Sequence, residues 1–157
     1  MIHPFYEATA TAPELADWWD RSFTPTIFAA GRVPTRTKAL LALRLAALNG
    51  VEYPGLVDDA AAAGVMPEEV AAIGGPLAAL PLSAAELAVL ELAAEMHLTN
   101  MAGYMDERLY ARLAEHYDDG ATFELGMTMA ILCGFAKFLK VYGLTGSDAG
   151  GAHSIPA

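Results

Sequence analysis

The segment Asn49-Gly50-Val51-Glu52-Tyr53-Pro54-Gly55-Leu56-Val57-Asp58-Asp59 joins two runs of helical character. Upstream, Val33-Pro34-Thr35-Arg36-Thr37-Lys38-Ala39-Leu40 opens an apolar run that continues through Leu41, Leu43, Ala47 and Leu48. Proline fits the start of a helix, and Asn49-Gly50 supplies a left-handed stop. Downstream, the pattern predicts a helix from Pro54 to Gly64 and a short one from Pro67 to Ile73. The corner brings Glu52, Tyr53 and Asp58 close to the end of the first helix.

Working outward, helix punctuation recurs. Thr11-Ala12-Pro13-Glu14 and Thr24-Pro25 each place proline just inside a helix start, the second helix ending near Gly31. Gly74-Gly75-Pro76 breaks the chain, and Ser83-Ala84-Ala85-Glu86 is a capping box for a helix reaching about His97. Asp106 starts another helix, which ends near Asp118-Asp119-Gly120. The last helix runs from about Thr122 to Gly143, with Phe123, Met127, Ala130, Ile131, Gly134, Phe138 and Val141 at helical spacing. Period-two stretches rich in β-branched and aromatic residues are absent, so the fold class is all-α. Residues 1–30 read as an N-terminal helical arm. Residues 145–157 (TGSDAGGAHSIPA), His153 included, read as a flexible tail.

A chain of 157 residues is one domain's worth and can bury a real core. Hydrophobic residues make up 55% of it, a fraction whose surplus on a small domain points to a subunit interface. Arg44, Glu91, Glu95 and Lys137 interrupt the longest apolar runs, so no stretch is expected to reach the roughly eighteen residues of a membrane span. No signal peptide is read at Met1-Ile2-His3-Pro4. The single cysteine, Cys133, cannot form an internal disulfide, which fits a reducing cytoplasm. A net charge of −10 argues against nucleic acid and against an anionic membrane surface.

The order of these features resembles the carboxymuconolactone decarboxylase and alkylhydroperoxidase-D-like family. There a helix reading roughly T-K-E-L-x-A-L ends in N-G, Cys-x-x-Cys-x-x-x-His follows, and a G-x-x-x-E-E-[IV] turn and helix come next. Thr35 to Lys38, Asn49-Gly50 and Gly64-Val65-Met66-Pro67-Glu68-Glu69-Val70 match that order. The later segments ERLYARLAEHYDD and FELGM, with a finish at YGL, extend the likeness over residues 31–144. The resemblance implies a single-domain bundle of about seven to eight helices that assembles as a trimer or hexamer.

The family's chemistry is replaced. Its two cysteines fall on Val51 and Pro54, its histidine on Asp58, the histidine between the cysteines on Tyr53, and its relay glutamate on Ala39. Disulfide-based peroxide reduction is therefore not expected. The decarboxylase branch also lacks the thiols and the relay glutamate and keeps an acidic cluster here, with which Glu52 is compatible.

The candidate site is built on the residues that remain. Asp58 and Glu52 are the candidate proton-transfer groups and Tyr53 a hydrogen-bond donor to a developing oxyanion. Carboxylates are also favoured at a helix start by its dipole alone, which is the reading given to Asp59. Arg44 interrupts an apolar helix face; it is either a structural partner of Glu91, Glu95 or Glu124, or a fork for a substrate carboxylate. His97 closes a helix beside Met96, Met101 and Met105 and is a second candidate binder; His116 is read as structural. No metal-ligand spacing is present, and neither a metal nor a cofactor is expected. Two functions remain open. One is a cofactor-free decarboxylase, lyase, isomerase or lactone-opening enzyme for a small carboxylated or carbonyl-bearing metabolite. The other is a non-catalytic, oligomeric small-molecule-binding protein.

Overall fold

A computed structural model describes residues 2–97 and 106–146. Short helices α1 (Pro4–Ala8), α2 (Pro13–Trp18) and α3 (Thr24–Phe28) form the N-terminal arm. They are followed by α4 (Thr35–Asn49), α5 (Leu56–Ala62), α6 (Pro67–Ala72), α7 (Ala84–His97), α8 (Glu107–Ala114) and α9 (Asp119–Val141). The described residues contain no strand, and the fold is all-α.

Helix α4 is the axis of the bundle, packed chiefly between α7 and α9. Ten of its fifteen residues are buried, and they point in every direction around the helix. That is the signature of a core helix rather than a surface one. A helix so enclosed must find partners for its polar side chains. Lys38, 3% exposed, donates to Glu124 Oε1 at 2.7 Å and to the Ala29 carbonyl at 2.8 Å. Arg36 grips Glu69 through two nitrogens, at 2.6 and 3.0 Å, and reaches Glu86 at 2.9 Å and the Gly64 carbonyl at 2.7 Å. These ion pairs bolt α4 to α6, α7 and α9.

Several helix starts follow the sequence closely. Ser83 and Glu86 form the reciprocal capping box, and Asp106 caps α8. The start of α9 is earlier than the expected Thr122, because Asp118 Oδ1 accepts from the Ala121 amide and caps the helix at Asp119. Helix α8 in turn ends at Ala114, short of the expected Asp118. The expectation that no segment has the length and composition of a membrane span is corrected: α9 has both. Its inner face, however, carries Leu125, Met129, Leu132, Ala136 and Leu139, all 2% exposed or less, as the core helix of a bundle does. Its outer face leaves Phe123, Met127, Ile131, Phe138 and Val141 exposed.

Glu69 is 2% exposed and its carboxyl is held below the usual carboxylate range, chiefly by its hydrogen bonds from Arg36. A carboxyl lowered on folding stabilises the fold above its unfolded pKa and ceases to do so as pH falls through its folded value. Glu69→Gln is expected to lose about 2 kcal/mol in urea unfolding at pH 7, because it replaces the charge-assisted bonds from Arg36 by weaker neutral ones while Glu86 and Gly64 still hold the guanidinium. The difference between variant and parent should shrink below the ordinary glutamate range of about 4.3. An equal deficit at pH 7 and at strongly acid pH would rule this account out.

Candidate functional site

Helix α4 ends in a left-handed turn at Gly50, with φ 62° and ψ 44°. The Val51 amide donates back to the Ala46 carbonyl and the Gly50 amide to the Ala47 carbonyl, the paired bonds that close a helix C-terminus. A second left-handed residue, Gly55 with φ 75°, immediately precedes α5. The expected helix start at Pro54 is thus delayed to Leu56, since a residue with positive φ cannot lie inside a right-handed helix. Positions 51, 54 and 58 consequently share no helix face. Val51 and Pro54 are buried in the corner, and Asp58 is exposed on the first turn of α5.

Both ends of the described chain close on this corner. Thr145 accepts from the Glu52 amide through its carbonyl at 2.7 Å. His3 Nε2 donates to the Glu52 carbonyl at 3.0 Å, while His3 Nδ1 accepts from the Phe5 amide at 3.1 Å. The acceptor role of Nδ1 fixes the proton on Nε2 in a neutral ring. Gly146 comes so close that a Cβ there would lie 2.7 Å from His3 Nε2 and 2.9 Å from Glu52 Cβ. Trp19, 3% exposed, donates from Nε1 to the Pro54 carbonyl at 3.2 Å and stacks on Phe135 at 4.1 Å. The tail expected to be loose from Thr145 onward therefore begins as part of the corner; His153 lies outside the described residues.

A cavity of about 420 Å³ opens here. Leu43, Ala46 and Ala47 of α4, Val51, Leu56, and Val70 and Ile73 from the α6 region give it an apolar wall. Its polar lining is His3, Glu52, Tyr53 and Asp58. The structure thus brings together Glu52, Tyr53 and Asp58, and adds His3. A single histidine near the chain start gives no sequence signal of its own, so His3 was not foreseen.

Three of the expected roles meet different surroundings. Tyr53 is 4% exposed, and its hydroxyl donates to the Leu132 carbonyl of α9 at 2.9 Å. Burial pushes the phenol well above its ordinary range, so it is a neutral donor already committed to the protein. Arg44 does not face this cavity. Its Nη1 donates to the carbonyls of Ile73 and Gly75, at 2.6 and 2.9 Å, and it forms no ion pair with Glu91, Glu95 or Glu124. It lines a separate cavity. His97 lines neither, and its Nδ1 is buried without a partner among the described residues. Met101 and Met105, expected beside it, lie outside the described residues.

Asp59 is held above the usual carboxylate range. Burial is the main cause, with the charges of Asp58 and Asp20 adding to it. Asp20 also accepts from the Tyr6 hydroxyl at 2.6 Å. Among the described residues no group of three His, Cys, Asp or Glu side chains could hold a metal ion.

The model of the carboxymuconolactone decarboxylase family matches residues 13–95, from the start of α2 through most of α7. The chain belongs to the carboxymuconolactone decarboxylase family. The match takes in the corner and the α2–α3 part of the arm that packs upon it. No curated protein and no solved structure matches the chain. Aligned on the family's motif, the two thiol positions have become core: Val51 is 6% exposed, and Pro54 accepts from Trp19. With Cys133 the only cysteine, no dithiol can form anywhere in the chain.

Burial lowers the His3 pKa from its ordinary value of 6.5, outweighing the opposing pull of Glu52. Protonation would also remove the acceptor used by the Phe5 amide. A histidine lowered on folding stabilises the fold above its unfolded pKa and loses that contribution as pH falls through the folded value. NMR titration is expected to place the His3 midpoint below 6.5. Amide protection at Val51 and Glu52 should fall in step with His3 protonation. A His3 midpoint at or above 6.5 would contradict the geometry.

Proposed function

We propose that this protein is a cofactor-free acid–base enzyme acting on a small, uncharged, carbonyl-bearing metabolite in the corner cavity. The observation that carries this reading is the placement of Glu52 and Asp58, beside His3 and Tyr53, on a cavity of about 420 Å³ whose remaining wall is apolar. That volume lies in the range that holds small metabolites. No arginine or lysine lines it, so two carboxylates disfavour an anionic substrate and leave a carbonyl compound as the better fit. Asp58 abstracts a proton next to the carbonyl, or returns it; Glu52, its backbone clamped by His3 and Thr145, serves as the second proton-transfer group. Lyase, isomerase and lactone-opening reactions all use such a pair. The commitment of Tyr53 to Leu132 favours a second reading, a binding protein without turnover, since Tyr53 carries the one hydroxyl among the residues lining the cavity and it is not free to stabilise an oxyanion.

The two readings separate in one experiment. Small lactones and 1,3-dicarbonyl compounds are screened for ring opening and for deuterium uptake in heavy water. Asp58→Asn is expected to slow turnover about a hundredfold, the ordinary worth of a positioned acid or base, and Asp59→Asn by far less. Saturable binding in the cavity with no turnover would establish the binding reading. Turnover indifferent to both Asp58→Asn and Glu52→Gln would exclude the enzyme proposed.

The active form is proposed to be a homo-oligomer joined through the outer face of α9. Phe123, Met127, Ile131, Phe138, Val141 and Tyr142 are 38–79% exposed along one helix. Together they offer several hundred Å² of apolar surface, comparable with the roughly 800 Å² per partner of a stable interface. Asp119 stands at one end of this face and Lys137 and Lys140 near the other. An antiparallel second copy therefore sets acid against base. Ile131→Glu is expected to reduce the sedimenting mass at micromolar concentration while leaving the helical circular dichroism intact. A parent chain that sediments as a monomer would remove the claim.

A further inference from the structure

The outer side of α9 has two glycines that no contact within the chain accounts for. Gly126 and Gly134 lie inside a 23-residue helix, where glycine costs stability relative to alanine. Apart from the helix's own backbone, no described atom lies within 4 Å of where a Cβ would stand at either position. Along the same side, Phe123, Met127, Ala130, Gly134, Lys137 and Val141 follow one another in alternating steps of four and three residues. All six are exposed. Such steps average 3.5 residues, the repeat of a seam along which two helices wind about each other. This seam is small in its middle, at Ala130 and Gly134, and bulky at its ends, at Phe123 and Val141.

We infer that the seam pairs with the same seam of a second copy, antiparallel, about a two-fold axis that crosses α9 at the level of Leu132. The inference rests on the oligomer reading above and gives that contact its register. Set antiparallel, Ala130 meets Gly134 of the second copy on both sides of the axis, Met127 meets Lys137, and Phe123 meets Val141. The small central layers let the two backbones approach closely, and the bulky outer layers fill the space beyond them. A parallel pair would instead set Lys137 against Lys137, with two ammonium groups face to face. In the antiparallel pair the alkyl stem of Lys137 covers Met127 of the second copy while its ammonium stays at the wet rim. A hollow of about 390 Å³, lined by Tyr110, Phe123, Gly126 and Met127 among others, then falls opposite Val141 of the second copy. A two-fold contact closes a dimer by itself. The trimer implied by the family resemblance cannot be built from it alone, and a hexamer needs a second kind of contact.

Cross-linking in the full chain reads the register. In a Cys133→Ser background, Phe123→Cys, Ile131→Cys and Val141→Cys are made singly and treated with a short bismaleimide. Ile131→Cys is expected to join to its own copy, because position 131 lies beside the axis. Positions 123 and 141 lie about 27 Å from their own copies, at roughly 1.5 Å of rise per residue. Phe123→Cys and Val141→Cys should therefore join only when the two variants are mixed. Gly134→Leu adds bulk at the centre of the seam while favouring the helix. It should raise the dissociation constant by about tenfold or more, with circular dichroism unchanged. A parent chain that sediments as a monomer would sink this contact together with the oligomer reading. Other outcomes would overturn the register and leave the oligomer reading standing. They are an oligomer in which Phe123→Cys or Val141→Cys joins to its own copy, one in which Ile131→Cys or the mixed pair fails to join, and one that Gly134→Leu leaves equally tight.

Discussion

The enclosure of α4 is the constraint on which the rest of this structure depends. A helix packed so largely by apolar neighbours leaves its polar side chains little water, and each buried polar group must meet a partner on another element or within the helix. Lys38 finds Glu124 and the Ala29 carbonyl; Arg36 finds Glu69 and Glu86; Asn49 turns back onto the Leu45 carbonyl at 2.8 Å. Arg44 finds two carbonyls at the end of α6. These bonds fix α6, α7 and α9 around the axis and so decide where the cavities open. The same logic makes the ion pairs costly to break singly, because removing one partner strands the other.

The corner after α4 shows how a family scaffold persists without the dithiol. The left-handed glycines at 50 and 55 keep the turn, while Val51 and Pro54 convert the thiol positions into core. Burying those positions draws the N-terminal arm onto the corner through Trp19 and Phe5, whose ring lies 6.0 Å from that of Trp19. Glu52 is then held by backbone bonds from both ends of the described chain, through His3 and Thr145. A carboxylate on a clamped backbone is better positioned than one on a free loop, which is what acid–base chemistry or selective binding requires.

Much of the architecture was legible because it is local. Proline inside helix starts, the Ser83–Glu86 box, the Asp106 cap and the Asn49-Gly50 stop each act within one turn of the chain. Where the helix bounds differ from the sequence pattern, a second local signal decides them: the positive φ of Gly55 delays α5, and the Asp118 cap starts α9 early. The candidate site was legible only where its residues are neighbours in sequence. Glu52, Tyr53 and Asp58 are separated by a few positions around one turn, so their shared cavity could be anticipated. His3 could not, since the contact spans 49 positions and a single histidine carries no pattern.

By itself, the sequence determined the all-α class, the order of the helices, the family and the absence of a dithiol. Each of these depends on residue identity and short-range spacing. Tertiary structure alone decided which way Arg44 points, that Tyr53 is tied to α9, that burial raises the carboxyl of Asp59, and that Arg44 lines a different cavity from Glu52, Tyr53 and Asp58. The reason is that direction and solvation belong to the packing. A side chain's place along a helix is written in its position, but its partner and its dielectric surroundings are set by whatever distant segment folds against it.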